Sequence, residues 1–389
     1  MMMGERFRSA FGKSPRFELS VPARICVFGD HSDYVPYLGT NIVTFASAEQ
    51  RMFAHISPRT DSVVKVLSSL EGCDPVVFSI HDVGIQGPWL ETLDSLGAPD
   101  THWSNYVKGA VAYLGNRRGI EYGFEMFVQS TIPAASGASS SSALTICALA
   151  AAHIANNISW TPRSLSEMGG EAEWYVGTRG GMMDHATMMY AEKGKMIKLG
   201  FRPFDAKLIE DSLGCKWHSV YTHPAEKGGA ARDSFNELAI VQREIIPEYL
   251  TGIEFDLGGD LELVVNQLPK TIEHVGLGTI NIRDRFRFVL NEFSRVQSFI
   301  SMLKEPNDEE IVRLFESSWN DTRDLLMTHT PEMEIIASQL REREGVLGVK
   351  VLGAGFGGNL LVCAKSWAEL GPDAVEHTPG AGLVLVELN

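Results

Sequence analysis

Residues 133–143 read PAASGASSSSA and run directly into the apolar stretch 144–156, LTICALAAAHIAN. Small residues let a backbone approach an anion closely, and the free N–H groups opening a helix point at it. The four serines at 139–142 are good N-cap material for a helix over 139–156. Their hydroxyls can donate to phosphate oxygens or ligate Mg²⁺. The stretch is neither GxxxxGK[ST] nor GxGxxG. A polar loop that merely caps a helix would share this composition. The tight junction with an Ala-rich, buried helix favours an anion site.

Upstream, 17–27, 63–68 and 124–128 read as strands, and a further strand is expected at 196–199. Downstream, helical spacing of apolar residues predicts helices near 165–175, 235–246, 280–303 and 309–327. Strands at 348–352 and 360–364 bracket a glycine turn at 353–358. This order predicts an α+β fold rather than a doubly wound α/β sheet. A linker is expected at 200–204, dividing the chain into domains 1–199 and 200–389.

With 34 Lys+Arg against 49 Asp+Glu the net charge is −15, which argues against a nucleic-acid partner. A local basic pocket for a small phosphate is compatible with that balance. The chain of 389 residues is 44% apolar and 21% charged, typical of globular proteins. Cysteines 26, 73, 147, 215 and 363 form no CxxC pair, so neither a zinc site nor a disulfide framework is expected. A reducing, cytoplasmic compartment is expected instead. The N-terminal segment carries charges where a signal peptide is apolar. The longest apolar stretch, 143–155, falls short of the ~20 residues of a membrane span.

Three motifs together resemble the GHMP kinase superfamily. The 133–143 loop is similar to its P-x-x-x-G-L-x-S-S-A motif. RICVFGDHSDY at 24–34 resembles the galactokinase-branch signature G-R-x-N-x-I-G-E-H-x-D-Y. LGAGFGG at 352–358 resembles T-G-A-G-F-G-G. WSNYVKG at 103–109 and EWYVGTRGGMMD at 173–184 are similar to two further motifs of that branch. The resemblance spans about 7–364, nearly the whole chain.

The resemblance implies a two-domain fold, ribosomal protein S5 domain 2-like at the N-terminus and ferredoxin-like at the C-terminus. It implies an ATP-dependent sugar kinase acting on an anomeric hydroxyl, galactose by default, with Mg²⁺. Asp184 and Arg24 would be catalytic. Asp30, His31, Asp33 and Gly181 would bind the sugar. Ser136, Gly137, Ser139, Ser140 and Ser141 would bind ATP, with Ser141 and Glu173 on the metal side. Glu171 competes with Glu173 for that role. The glycines of 353–358 are expected to support the site. The expected partners are a monosaccharide and ATP, with no nucleic acid and no membrane, in a monomer or homodimer.

Several positions depart from the galactokinase pattern. The usual Glu is Asp30, a possible phenol donor is Phe235, and a Gln commonly following the acid is His185. These changes concentrate around the sugar. They keep open a related kinase for an N-acetylhexosamine, uronic acid, heptose or inositol. A weakly active sugar and nucleotide sensor is the third reading.

Overall fold

The computed structural model describes residues 3–388 apart from 40, 71, 98, 100–101, 227, 252–260 and 275–277. Its framework is two sheets with helices on their faces, the α+β arrangement expected. The larger sheet runs in the order Val384–Glu387, Phe17–Phe28, Asn41–Pro58, Phe124–Ser130, Val63–Ser68, Val76–Ser79. All its pairs are antiparallel except Val63–Ser68 against Phe124–Ser130. Helices Ser104–Arg118, Ser140–Ala155 and Pro162–Ala172 cover one face. Val107, Ile146, Leu149 and Leu165 there join Ala54, Ile56 and Met126 of the sheet in one buried cluster.

The stretch 200–204 is not a linker. Met196–Phe201 and Phe204–Ile209 form a hairpin that pairs with the start of Asn41–Pro58. A division at 199/200 therefore falls inside a hairpin of the first sheet. Val384–Glu387 also returns to that sheet, beside Phe17–Phe28. Proline and glycine marked a chain reversal here, but a hairpin turn uses the same residues as a linker.

The second sheet runs Val346–Leu352, Gly358–Lys365, Cys215–His223, Ala374–His377, all antiparallel. Helices Asp308–Asp324 and Pro331–Arg341 pack on it. Residues 366–373 cross over Cys215–His223 from Gly358–Lys365 to Ala374–His377 without a helix, so the expected ferredoxin-like βαββαβ path lacks its second helix. Gly348 is required beneath the first of these helices, because a Cβ there would lie 2.2 Å from Phe315.

The two sheets are joined through an aromatic seam. Phe28 packs against Phe299 and Phe315, both at 5.3 Å between ring centroids. Phe28 is wholly buried, and truncating such a residue typically costs ~3–5 kcal/mol. A helical insertion built on Gly229–Ile240 and Ile282–Met302 forms a separate cluster. Tyr34, Val35 and Leu38, just after the 24–34 motif, are embedded in it.

Candidate active site

The anion loop lies between strand Phe124–Ser130 and helix Ser140–Ala155. Its backbone is locked from the second sheet. Asn359 N–H donates to Ser136 O at 2.9 Å. A Cβ on Gly137 would lie 2.1 Å from Leu352 O, and one on Gly353 would lie 2.9 Å from Gly137 O. The glycine turn at 353–358 thus packs backbone against backbone on the loop, in the supporting role expected of it.

Arg24 lies where the pairing of Phe17–Phe28 with Asn41–Pro58 breaks register, between Pro22 and Arg24. Such irregularities re-aim a side chain. Arg24 is 4% exposed, and its Nε donates to Asp184 Oδ1 at 2.6 Å. Asp184 opens helix Met183–Tyr190, where a negative charge is favoured. Its other oxygen accepts from Ser139 Oγ at 2.6 Å and Ser142 Oγ at 3.3 Å. Burial alone would raise the Asp184 carboxyl. Arg24, by charge and hydrogen bond, and Ser139 outweigh that, so the group titrates below its ordinary range.

The expected phosphate contacts separate into two groups. Ser136 turns back, its Oγ donating to Pro133 O at 2.8 Å, and is 2% exposed. Ser139, with φ of 62°, is committed to Asp184. Ser140 and Ser141 are partly exposed at the helix N-terminus. Ser136 therefore braces the loop instead of presenting its hydroxyl, because an internal carbonyl lies within its reach.

The phenol of Tyr106 lies beside Ser141 and feels the charge of Glu173. Burial, then Glu173, pushes that phenol up to about 12. Ser141 and Glu173 are thus neighbours of one ring. Glu173 keeps 18% of its side chain exposed, with Thr145 Oγ1 at 3.3 Å and His185 Nε2 at 3.6 Å from Oε1. Glu171 is taken up elsewhere, by Tyr113 at 2.6 Å and Arg117 at 3.1 Å. Among the described residues no three His, Cys, Asp or Glu side chains gather as a metal cage. A hydroxyl and one carboxylate suit a magnesium ion, which keeps waters and binds phosphate oxygens.

Asp33 and Gly181 are brought together. Met183 N–H donates to Asp33 Oδ2 at 2.8 Å, and a Cβ on Gly181 would lie 2.2 Å from that oxygen. Only glycine fits there. Burial raises the Asp33 carboxyl, and the Met183 N–H opposes this only in part. His31 adopts φ of 60° and meets Tyr34 Oη through Nδ1 at 3.2 Å. Burial lowers its imidazole to about 4, so it is neutral at physiological pH. His31 lines a narrow crevice with Phe235, Thr328 and Phe356.

Asp30 departs from the expectation of sugar contact. Its carboxylate turns inward and is only 5% exposed. Lys350 Nζ donates to its Oδ2 at 2.7 Å. Burial would lower the Lys350 ammonium, but Asp30 outweighs it and the net shift is upward. The missed signal was a lone lysine in the apolar strand VLGVKVL, 346–352. Tyr106 and Ser142 were also missed. Both lie inside quoted motifs, but nothing in their identity distinguished them from core or capping residues.

Residues 105–192 match the family of GHMP kinases, N terminal domain. The galactokinase of Thermotoga maritima is 26% identical over 359 residues, covering 90% of each chain. The galactokinase of Homo sapiens is 25% identical over 376 residues, 95% of this chain and 89% of that one. The crystal structure of Lactococcus lactis galactokinase complexed with galactose superposes with a TM-score of 0.79 at 21% identity, covering 98% of both chains. The Methanococcus jannaschii mevalonate kinase structure gives a TM-score of 0.59 at 15% identity, covering 96% of this chain and 99% of that one. Residues 105–192 thus resemble a GHMP kinase N-terminal domain, and the chain is similar to galactokinases over nearly its whole length.

Proposed function

We infer that the chain transfers the γ-phosphoryl group of ATP to the anomeric hydroxyl of a monosaccharide, with galactose the substrate. The observation that carries this is the 2.6 Å Arg24–Asp184 pair beside the N-terminus of Ser140–Ala155. The full-length likeness to galactokinases supports the sugar.

Phosphoryl transfer passes through a loose transition state, so most of the catalysis is positioning and charge stabilisation. Asp184, ionised and held by Arg24 and Ser139, orients the attacking hydroxyl. Its lowered pKa makes it a weak base, so it accepts the proton late, as the new oxygen–phosphorus bond forms. Arg24 also lies 3.4 Å from Gly137 O of the anion loop, where its charge can stabilise the moving phosphoryl group. Ser140, Ser141 and the N-terminal amides of the helix face the phosphates. Ser141 and Glu173 would hold magnesium, which neutralises phosphate charge when bound. Asp33, beside Gly181, accepts sugar hydroxyls.

The retained acid, arginine and metal-side pair speak against a mere sensor. No helix among the described residues is long and apolar enough to cross a membrane, and a cytoplasmic setting fits the free cysteines. ADP release measured over a panel of free sugars tests the reading. Turnover with galactose supports it, and absence of turnover with every sugar overturns it.

A further inference from the structure

The stretch from Gly177 to Met182 carries Gly181 and leads into Asp184, yet it has no regular structure of its own. Its backbone is fixed by side chains from the helical insertion. Asn236 Oδ1 accepts Arg179 N–H at 3.0 Å, and its Nδ2 donates to Gly177 O at 2.8 Å. Arg243 donates from Nη1 to Arg179 O at 2.8 Å and from Nη2 to Gly180 O at 2.9 Å. Gly180 O also accepts from Trp174 Nε1 at 3.0 Å.

Arg243 lies on a π-helical turn, Val241–Ile245, between Gly229–Ile240 and Ile246–Leu250. Pro247 has no N–H to bond the Arg243 carbonyl four residues back, which accounts for the widened turn. The guanidinium sits over two rings, 5.3 Å from the Tyr34 centroid and 5.2 Å from that of Trp174. Tyr34 belongs to the sugar signature, and Trp174 follows Glu173. One arginine therefore touches the sugar loop, the metal-side turn and the segment leading to the acid. No ion pair involves Arg243 among the described residues. Its charge is felt chiefly by Asp33, which it helps keep ionised.

We propose that Arg243 is a positioning residue for phosphoryl transfer, clamping the 179–181 backbone so that Gly181, Asp33 and Asp184 present one surface to the acceptor sugar. This rests on reading the cleft as a sugar-kinase site. Two aligned donors and a flat face perform the clamping, so lysine does not substitute for arginine here.

The test is Arg243→Lys in the full chain, with steady-state kinetics for galactose and ATP measured separately. We expect kcat/KM for galactose to fall roughly tenfold to hundredfold, the effect of a small misplacement of reacting groups. The KM for ATP should stay within about twofold, since the anion loop is held from the other sheet. Trp174→Phe keeps a ring face but removes one donor to Gly180 O, and should give a weaker loss of the same kind. Wild-type galactose kinetics in Arg243→Lys overturn the proposal. So does a rise in the KM for ATP as large as the effect on galactose, which marks a general structural role. If Arg243→Lys fails to fold, Trp174→Phe decides alone, and unchanged galactose kinetics overturn the clamp. Absence of turnover in the wild type with every sugar would instead overturn the functional reading, and this inference with it.

Discussion

The hydroxyl of Ser139 donates to Asp184 at 2.6 Å, so the loop at 133–143 holds the carboxylate proposed to orient the acceptor. A hydrogen bond to the ionised form favours that form. Ser139→Ala therefore raises the Asp184 carboxyl and loosens it. A hydrogen bond to a charged group contributes ~1.5–3 kcal/mol, so kcat should fall at least about tenfold. Steady-state kinetics check this, and an unchanged kcat would remove Ser139 from the positioning of the acid.

Asp184→Asn keeps the shape and loses the charge. Turnover should drop by ~10²–10⁴-fold, the usual contribution of one acid–base group, while nucleotide binding persists. Calorimetric titration with an ATP analogue separates the two. A variant with near wild-type kcat would exclude Asp184 as the catalytic acid.

Asp33 and Asp184 shift in opposite directions, up and down respectively. If both act ionised, the group with the higher pKa sets the acid limb of kcat/KM, and that is Asp33. Activity is then present above the Asp33 pKa and lost as pH falls through it. The charge of Asp184 is one of the causes raising Asp33. In Asp184→Asn the limb of the residual activity should move to lower pH. A limb that vanished in this variant would assign it to Asp184 instead.

On the metal side, Glu173→Gln and Ser141→Ala should raise the magnesium concentration needed for half-maximal rate more than they raise the sugar KM. Glu171→Gln, whose carboxylate is bound to Tyr113 and Arg117, should leave that requirement unchanged. A magnesium titration of all three variants decides the matter. Equal behaviour of Glu171→Gln and Glu173→Gln would refute the assignment.

Asp30 and Lys350 are both nearly inaccessible to water. Removing one partner of a buried pair leaves an uncompensated charge, at a cost of ~3–5 kcal/mol. Lys350→Met should destabilise by about that amount, and adding Asp30→Asn should recover most of it. Urea unfolding of the two singles and the double gives the coupling. Additive losses would mean that the pair does not act as a unit.

Much of this architecture was legible in the chain because local signals agreed. The Ala-rich stretch after four serines is a helix over Ser140–Ala155, and the strands flanking 353–358 pair as read. What was not legible depends on contacts distant in sequence. Asp30 and Lys350 are 320 residues apart, and no local pattern joins them. Resemblance placed Asp30 at the sugar, but the shorter acid meets an ammonium from the second sheet. Arg243 carried no motif, because its partners are backbone carbonyls and ring faces that only the folded chain assembles. Ser139 was correctly placed in the loop, yet its left-handed backbone directs the hydroxyl to Asp184.

The most direct test of the central claim is the identity of the product. Purified chain, ATP, magnesium and galactose should give a sugar phosphate whose phosphorus-31 resonance couples to the anomeric proton, marking a 1-phosphate. A product phosphorylated at any other hydroxyl, or ATP consumed with no sugar phosphate formed, would contradict the account.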